Sequence, residues 1–283
     1  MRIKNEQLST FEDQGYIVME NLISLEEIAE CRDEINRLHT LALEFERKGD
    51  QRSIDFQREP NARGINSNNG TPLLRKIENT RIHSPIFNRL AKHPQLIEVV
   101  QNLIGPDLLL FRSTLMLKPE FHGSGHEFHQ DSAYWPMDPP RLVTVSIAID
   151  DANTTNSCFK VVPGSHKWGL KMEESTPVDS RLVSGLEVRK LLDGVDLSGQ
   201  IEVPLSAGSI LLFHSLVMHG SNPNTSPFSR NTALYAYFSP NVHYIPKDGQ
   251  PKEKTFDVVA GLDNKQTLTL KAKNKVTTYR QNS

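Results

Sequence analysis

The chain has 283 residues with a formal net charge of −2 at pH 7, 37% hydrophobic and 23% charged residues. This composition is typical of a globular protein, and two cysteines, Cys31 and Cys158, exclude a disulfide scaffold, so we expect reduced core thiols. The sequence shows no basic stripe for nucleic acid, no apolar leader and no apolar run of ~18 residues for a membrane span, and we therefore expect a cytoplasmic protein.

The first third of the chain is predicted to be mainly helical. Residues 5–47 have an apolar face at helical spacing with one break, where 15–20 predict a short strand. The stretch 24–27, Ser-Leu-Glu-Glu, is typical of a capping box at the start of the second helix. Residues 84–104 predict further helix, whereas the polar segment 48–72, with Gly, Asn and Pro, predicts a long loop.

From residue 107 the pattern changes to short apolar or alternating runs bounded by Gly, Pro, Asn and Asp, which predict strands. Helices followed by many short strands indicate the α+β class. We predict a double-stranded β-helix (jelly-roll, cupin-like) core with the N-terminal helices packed on one sheet. We expect one domain over 1–283, with a mainly helical part at 1–106, the jelly-roll core at 107–245 and a C-terminal extension at 246–283. A polar insertion at 167–200 interrupts the strands.

The stretch HEFHQDSAYW (126–135) places His129 and Asp131 one residue apart. A bare H-x-D match is weak, because chance supplies roughly half a match in such a chain. If the motif lies on a strand, both side chains point to the same face. His219 ends an apolar strand 219 − 129 = 90 residues later, and Arg230 follows 11 residues after that. Two imidazoles and one carboxylate on one face of a metal form the facial triad of non-haem Fe(II) oxygenases, with open positions for other ligands.

The open positions suit O₂ and a chelating 2-oxo acid. The far carboxylate of a 2-oxo diacid needs a fixed cation, and Arg230 suits that role because guanidinium is planar, permanently charged and bidentate toward carboxylate. The Ser221 hydroxyl can donate a second hydrogen bond.

Several pieces of the sequence, in order, resemble the phytanoyl-CoA dioxygenase family of Fe(II)/2-oxoglutarate oxygenases from about residue 8 to about residue 250. They are FEDQGYIVMENLISLEEI, TLMLKPE, HQD, IDDANTTNSCFKVVPGSHKWG, AGSILLFHSLVMHGSNPN, Arg230 and HYI. The resemblance implies Fe(II) held by His129, Asp131 and His219. It also implies 2-oxoglutarate held by Arg230, Ser221 and Lys118.

The activity that the resemblance implies is hydroxylation of a C–H bond of a small organic molecule by O₂, coupled to decarboxylation of 2-oxoglutarate to succinate and CO₂. Asp131 separates the chain from related halogenases, which have Gly or Ala at that position, and thus favours hydroxylation, or a related desaturation or ring closure. The substrate stays open among an acyl-CoA, an amino-acid derivative and a natural-product intermediate. A basic pocket for CoA would use Arg58, Arg63, Arg75 and Lys76, which equally suit an ordinary solvated loop.

Two other classes of protein compete with this interpretation. One is a non-catalytic jelly-roll protein that binds small molecules, and the other is a cupin metalloenzyme that does not use 2-oxoglutarate. We expect a small-molecule substrate as the partner, no nucleic acid and no membrane. A monomer is the default expectation, with a homodimer as the alternative.

We expect the other polar residues near these motifs to have structural roles and not to bind the metal. We expect His214 to be structural and His122, His126 and His166 to be loop histidines. Gln130 should point away from the iron by strand alternation.

Four more residues concern the pocket. Tyr134 and Trp135 suit either the core or a pocket wall. Ser157 replaces the glycine that the family often has in its turn, which removes the residue that adopts positive φ most easily. Ser146 replaces an aromatic residue of some relatives and predicts a roomier or more polar pocket.

Overall fold

The computed structural model describes residues 3–62, 64–67, 69–171, 192, 194–246 and 249–273. The α-helices are α1 (Asn5–Gln14), α2 (Leu25–Lys48), α3 (Thr80–His83), α4 (Pro85–Leu90) and α5 (Pro94–Ile104). The strands are β1 (Tyr16–Met19), β2 (Phe56–Arg58), β3 (Leu74–Glu78), β4 (Leu108–Lys118), β5 (His126–His129), β6 (Met137–Asp138), β7 (Val143–Ala148), β8 (Phe159–Val161), β9 (Ile201–Val203), β10 (Ile210–His214), β11 (His219–Ser221), β12 (Arg230–Phe238), β13 (His243–Tyr244), β14 (Glu253–Ala260) and β15 (Thr267–Lys271).

The helix signals of the sequence act as predicted. The Ser24 hydroxyl accepts a hydrogen bond from the Glu27 amide at 3.2 Å, and the Glu27 carboxylate accepts one from the Ser24 amide at 3.2 Å, which completes the capping box of α2. The helix ends at Gly49, whose φ of 63° lies in the left-handed region that glycine adopts readily. Pro94 opens α5 at the position where its missing amide proton costs nothing.

The strands form two main antiparallel sheets. The larger sheet has the order β1-β10-β7-β12-β4-β14-β15, with β3 also paired to β4 and β2 paired to β3. The smaller sheet has the order β5-β11-β8-β9. The rings of Phe213, on β10, and His219, on β11, lie with centroids 4.7 Å apart, so the two sheets face each other. This mixed helix and sheet architecture with a jelly-roll core agrees with the predicted class.

The helices and the larger sheet share one buried apolar cluster. It combines residues of α2, α4 and α5, such as Ile28, Phe87 and Leu96, with alternate residues of β4, β7 and β12. Two buried tyrosines of β12 also reach the helical layer: the Tyr235 hydroxyl donates to the Phe87 carbonyl at 2.9 Å, and the Tyr237 hydroxyl donates to the Ala91 carbonyl at 2.8 Å. The helices and the larger sheet thus share one apolar cluster and two hydrogen bonds.

Two segments differ from the sequence expectation. The predicted loop at 48–72 contains a 3-10 turn at 51–55 and then β2, which pairs with β3; a run as short as Phe56–Arg58 carries too few alternating residues to be recognised. The segment 246–283 contributes β14 and β15, and Asp257–Ala260 of β14 pair with Leu108–Leu110 of β4. The larger sheet thus takes strands from outside 107–245.

Part of the insertion at 167–200 lies outside the described residues. Within the described part, no helix is both long and apolar enough to cross a membrane.

Candidate active site

Three of the predicted site residues meet at the interface of the two sheets. The Nε2 atom of His129 lies 3.7 Å from Oδ1 of Asp131, and Nε2 of His219 lies 3.9 Å from the same oxygen. One ligand atom from each residue falls within 4.8 Å of the others. His129 and His219 are brought together because β5 and β11 pair antiparallel with these two residues in register. Two nitrogens and one carboxylate oxygen at this spacing fit a single metal ion bound on one face.

Backbone carbonyls orient both imidazoles. Nδ1 of His129 lies 2.8 Å from the Glu127 carbonyl, and Nδ1 of His219 lies 2.9 Å from the Val217 carbonyl. A carbonyl only accepts, so each Nδ1 carries the proton and each Nε2 presents its lone pair to the site. Burial, followed by the nearby His219, lowers the pKa of His129 to about 4, which keeps its imidazole neutral as a metal ligand requires.

Asp131 reaches the site in a different way from the one predicted. Strand β5 ends at His129, and Asp131 opens a 3-10 turn over 131–133, so the two side chains do not share a strand face. The expectation of strand alternation through the motif was wrong, because the chain leaves the sheet immediately after His129. The Thr144 hydroxyl of β7 donates to Oδ2 of Asp131 at 2.9 Å, which leaves Oδ1 facing the two imidazoles. Sequence reasoning missed Thr144, although a hydroxyl in an otherwise apolar run was a usable signal.

Aromatic rings close the sides of the cluster. Phe159 stacks on His219 with centroids 5.1 Å apart, and Tyr134 meets His129 edge to face at 5.8 Å. Trp135 is buried against Phe111 at 4.8 Å. Tyr134 and Trp135 are thus buried, and Tyr134 also contacts a triad residue.

A second group of predicted residues lies together at one end of β4 and β12. Lys118 and Arg230 are direct partners across these strands, and Ser221 follows His219 on β11. All three are buried, with Lys118 fully so. Lys118 donates through Nζ to the Asn222 carbonyl.

Neither cation of this group forms an ion pair among the described residues, although the charges of Glu59 and Asp150 act on Lys118 and Arg230, respectively. Arg230 donates from NH1 to the Ser157 carbonyl at 3.0 Å, and its buried Nε has no hydrogen-bond partner in the described part of the chain. Burial, followed by the charge of Arg230, lowers the pKa of Lys118 to about 6, and burial lowers that of Arg230 to about 10. A buried carboxylate from a ligand would relieve both perturbations, so the pocket fits the far end of a dicarboxylate.

His126 belongs to this pocket, and its assignment to a loop was wrong. It lies on β5 opposite Ser221, because the strand begins three residues before His129. Burial, together with the charges of Arg75 and Lys118, lowers its pKa well below the ordinary value. The signal in the sequence was the alternation of HEFH itself.

The other histidines stay away from the metal cluster. His122 lies in a turn, and His166 lies in a 3-10 turn with its ring 5.6 Å from that of His214. Nδ1 of His214 accepts a hydrogen bond from the Leu216 amide at 3.1 Å, which is a structural contact. Gln130 also points elsewhere: its amide donates to the carbonyls of Gly169 and Leu216 at 2.8 Å each.

Ser157 and Ser146, the two positions expected to depart from the family pattern, are both buried. Ser157 adopts φ 68°, so the turn keeps the left-handed conformation without a glycine, and its carbonyl accepts from Arg230. Its hydroxyl donates to the Pro223 carbonyl at 2.5 Å. Ser146 is buried on β7, where it pairs with Leu234 of β12.

The basic residues considered for CoA do not form one patch. Arg58 pairs with Glu46 at 2.6 Å on the surface, whereas Lys76 is buried and pairs with Glu78. Arg75 is half-buried near Lys118, and Arg63 lies outside the described residues.

Two imidazoles and one carboxylate on a jelly roll, with a buried lysine and arginine on neighbouring strands, are typical of the class of Fe(II)/2-oxoglutarate-dependent oxygenases. A family model described as "Phytanoyl-CoA dioxygenase (PhyH)" matches residues 11–232. The chain therefore belongs to the phytanoyl-CoA dioxygenase family.

Individual proteins that are similar to this chain support the assignment to this family. The ectoine dioxygenase of Nocardia farcinica is 30% identical over 251 residues, covering 84% of this chain and 78% of that protein. The human peroxisomal phytanoyl-CoA dioxygenase is 25% identical over 268 residues, covering 92% and 75%. The crystal structure of EctD from S. alaskensis with 2-oxoglutarate and 5-hydroxyectoine has a TM-score of 0.64 and 24% identity, covering 84% and 77% of the two chains, and supports the shared fold.

Proposed function

We propose that this protein is an Fe(II)/2-oxoglutarate-dependent dioxygenase that hydroxylates a C–H bond of a small organic substrate. The observation that carries the proposal is the pairing of two sites in one cavity. Two Nε2 atoms and a carboxylate oxygen converge on one point, and Lys118 and Arg230 are buried nearby without an ion pair among the described residues. The first site suits the metal and the second suits the cosubstrate.

Each residue has a defined task in this proposal. His129, Asp131 and His219 hold Fe(II), and Thr144 fixes which oxygen of Asp131 faces the metal. Bound iron, with 2-oxoglutarate and O₂, supplies the oxidising chemistry, and the cosubstrate leaves as succinate and CO₂.

The cosubstrate pocket orients 2-oxoglutarate by its far carboxylate. Arg230 offers a planar guanidinium, and Lys118 and Ser221 offer further donors. The aromatic rings of Phe159 and Tyr134 keep water away from the two imidazoles.

Three alternatives fit the cavity less well. A non-catalytic binding protein has no need for imidazoles whose Nδ1 atoms are fixed so that both Nε2 atoms converge. A cupin enzyme without 2-oxoglutarate has no need for a buried Arg230 and Lys118. A halogenase leaves the carboxylate position of the triad to chloride, whereas Asp131 fills that position here.

We propose a small molecule as substrate, acted on by a monomeric cytoplasmic protein of one domain over 1–283. The N-terminal helices pack on one face of the larger sheet and hold it rigid. The opposite face of that sheet carries the site. The names of the relatives include ectoine, phytanoyl-CoA and hypophosphite dioxygenases, which covers three different kinds of small molecule. The net charge of −2 supports the expectation that nucleic acid is not the partner.

The test is anaerobic reconstitution with Fe(II) and 2-oxoglutarate, in which the visible charge-transfer absorption of the chelate is measured. Wild type should show the band, and Arg230→Ala should need at least ~10-fold more 2-oxoglutarate to reach half of it, because a charge-assisted bidentate contact is lost. Arg37→Gln is the matched control: Arg37 pairs with Glu34 through two nitrogens on α2, away from the cavity. Absence of the band in wild type with iron present would refute the proposal.

A further inference from the structure

Arg75 is the extra residue of a β-bulge in β3. Gln57 and Arg58 are neighbours on β2, but they pair with Lys76 and Leu74, which leaves Arg75 between two paired residues. A bulge of this kind interrupts the alternation of side chains along a strand and re-aims the residues within it. The direction of the Arg75 side chain therefore depends on where the alternation slips.

The neighbouring residues show which face of the sheet Arg75 occupies. Leu74 and Ile77 both belong to the apolar cluster that the helices share, although residues three apart on a regular strand point to opposite faces. The alternation thus slips once between them, and the two residues in between, Arg75 and Lys76, share the other face. The register of β3 on β4 places Lys118 on that face as well.

The guanidinium of Arg75 lies among the residues predicted to bind the cosubstrate. Burial, followed by the charge of Arg75, lowers the pKa of His126, which pairs with Ser221 across β5 and β11. After burial and Arg230, the charge of Arg75 also contributes to the lowered pKa of Lys118. Arg75 of β3 is therefore close enough to both β4 and β5 for its charge to act on residues of the cosubstrate pocket.

The acidic residue whose charge acts on Arg75 is engaged elsewhere. Glu59 is fully buried, and its carboxylate accepts from the Asn61 amide at 3.1 Å and from the amide and hydroxyl of Ser124 at 3.1 and 3.2 Å. Its charge raises the pKa of Arg75, which burial lowers. Arg75 forms no ion pair among the described residues, so Glu59 offsets its charge only from a distance.

Arg75 and Arg230 share one unusual feature. The Nε atom of each guanidinium is buried, and neither has a hydrogen-bond partner in the described part of the chain. Nε and a terminal nitrogen form an edge of the guanidinium that can bind a carboxylate through two parallel hydrogen bonds. Because β4 lies between β12 and β3 in the sheet, the two guanidiniums approach Lys118 from opposite sides. A carboxylate between them would satisfy both Nε donors and offset the buried positive charge.

We propose that Arg75 is a second guanidinium anchor for the far carboxylate of 2-oxoglutarate, acting together with Arg230. This assigns Arg75 to the cosubstrate and not to a pocket for CoA. The inference rests on the proposed function, since it concerns the cosubstrate of the same site.

The experiment titrates the anaerobic Fe(II) complex of the full-length protein with two 2-oxo acids and measures the visible band of the chelate. 2-Oxoglutarate and 2-oxopentanoate have the same chain length and the same chelating end, but only 2-oxoglutarate has a far carboxylate. Arg75→Gln should raise the apparent dissociation constant of 2-oxoglutarate by ~10-fold or more, because a charge-assisted contact is lost. Binding of 2-oxopentanoate, and of Fe(II) without cosubstrate, should stay as in wild type.

A conservative variant and a control define the contact. Arg75→Lys keeps the positive charge but loses the planar edge, so it should recover only part of the affinity for 2-oxoglutarate. Arg58→Gln is the matched control on the neighbouring strand. Arg58 donates to both oxygens of Glu46, at 2.8 and 2.6 Å, and its loss should leave the binding of both 2-oxo acids unchanged.

A double-mutant cycle tests whether the two guanidiniums bind the same group. Arg75→Gln and Arg230→Gln are measured singly and together with 2-oxoglutarate. Residues that share a partner are not independent, so the loss of affinity in the double variant should differ from the product of the single losses by ~3-fold or more.

The outcomes separate this proposal from the proposed function. Wild-type affinity for 2-oxoglutarate in Arg75→Gln overturns the role of Arg75 and leaves the oxygenase intact. Weakened Fe(II) binding, or an equal loss for both 2-oxo acids, also overturns it, because the substitution then acts on the structure of the site. Single losses that simply multiply in the double variant contradict a shared carboxylate. A wild-type protein that binds iron but gives no band with 2-oxoglutarate overturns the proposed function itself.

Discussion

Lys118 illustrates how one buried residue makes cosubstrate binding depend on pH. Its folded-state pKa is lowered to about 6 from 10.5 by burial and then by Arg230, so the free protein carries it largely uncharged above that pH. A carboxylate bound beside it favours the ammonium, so binding takes up a proton. Without ligand, and between pH values of about 6 and 10.5, Lys118 binds more protons in the unfolded chain than in the folded protein. The free energy of unfolding therefore rises with pH across that window.

We expect 2-oxoglutarate to bind more weakly as the pH rises above about 6, by up to ~10-fold per pH unit, and to lose this dependence below it. Anaerobic titrations of the chelate band between mildly acidic and mildly alkaline pH measure the trend. Lys118→Met keeps the volume of the side chain and removes the titrating group, so it should bind more weakly at low pH and show a flatter profile. An unchanged slope in this variant would show that another group is responsible.

At the scale of residues, the hypothesis for the metal ligands came from positions where chemistry restricts the choice of residue. The positions of His129, Asp131 and His219 followed from their residue types and spacing, and the structure brings the three together. Thr144 and His126 were missed, because a hydroxyl or an imidazole inside a strand acquires its meaning only when the facing strand is known. Glu78 and Arg112 belong to strands 34 residues apart, and nothing local links them.

At the scale of elements, the pairing of β5 with β11 decides whether the two imidazoles meet. Gly220 lies between His219 and Ser221, and a Cβ there would lie 2.8 Å from the His126 carbonyl and 3.2 Å from Phe128. Because the nearest atom is backbone, the two strands would have to separate. The sequence shows a glycine in the motif HGS, but the need for a residue without a side chain at that position follows only from the close approach of the neighbouring strand.

We therefore expect Gly220→Ala to destabilise the protein by ~1–3 kcal/mol, as overpacking does. It should also weaken Fe(II) binding by ~10-fold or more, because the ligands are displaced. Urea denaturation and an anaerobic Fe(II) titration measure the two effects. Gly199→Ala is the control, since a Cβ at that position meets no atom within 4 Å. Equal behaviour of the two variants would show that β5 tolerates the shift.

The boundaries of the elements were predictable only where the chain carries its own stop signals. Ser24, Gly49 and Pro94 fixed helix ends because capping is local. The hairpin of β14 and β15 and the short β2 were missed, since their strands are defined by pairing with β4 and β3. The fold class was therefore readable, while the full membership of the larger sheet was not.

At the scale of the whole molecule, the site combines buried basic side chains with a cluster of metal ligands, so the stability of the protein should depend on the ligands that bind there. Each ligand that binds only the folded state raises the free energy of unfolding, by ~2.7 kcal/mol at a concentration 100 times its dissociation constant. Lys118 and Arg230 add a specific reason, because both are buried and a bound dicarboxylate offsets their charge.

We expect Fe(II) and 2-oxoglutarate together, under anaerobic conditions, to raise the thermal midpoint by roughly 5 °C or more, and by more than the sum of either alone. The excess would arise because 2-oxoglutarate would contact both the metal held by the triad and the guanidinium of Arg230, so each ligand would strengthen the binding of the other. Differential scanning fluorimetry measures the midpoints, and a chelator added to the complex should reverse the shift. In Arg230→Ala the increment from Fe(II) should remain while the increment from 2-oxoglutarate shrinks. Additive shifts in wild type would mean that metal and cosubstrate bind at independent places, which contradicts a shared cavity.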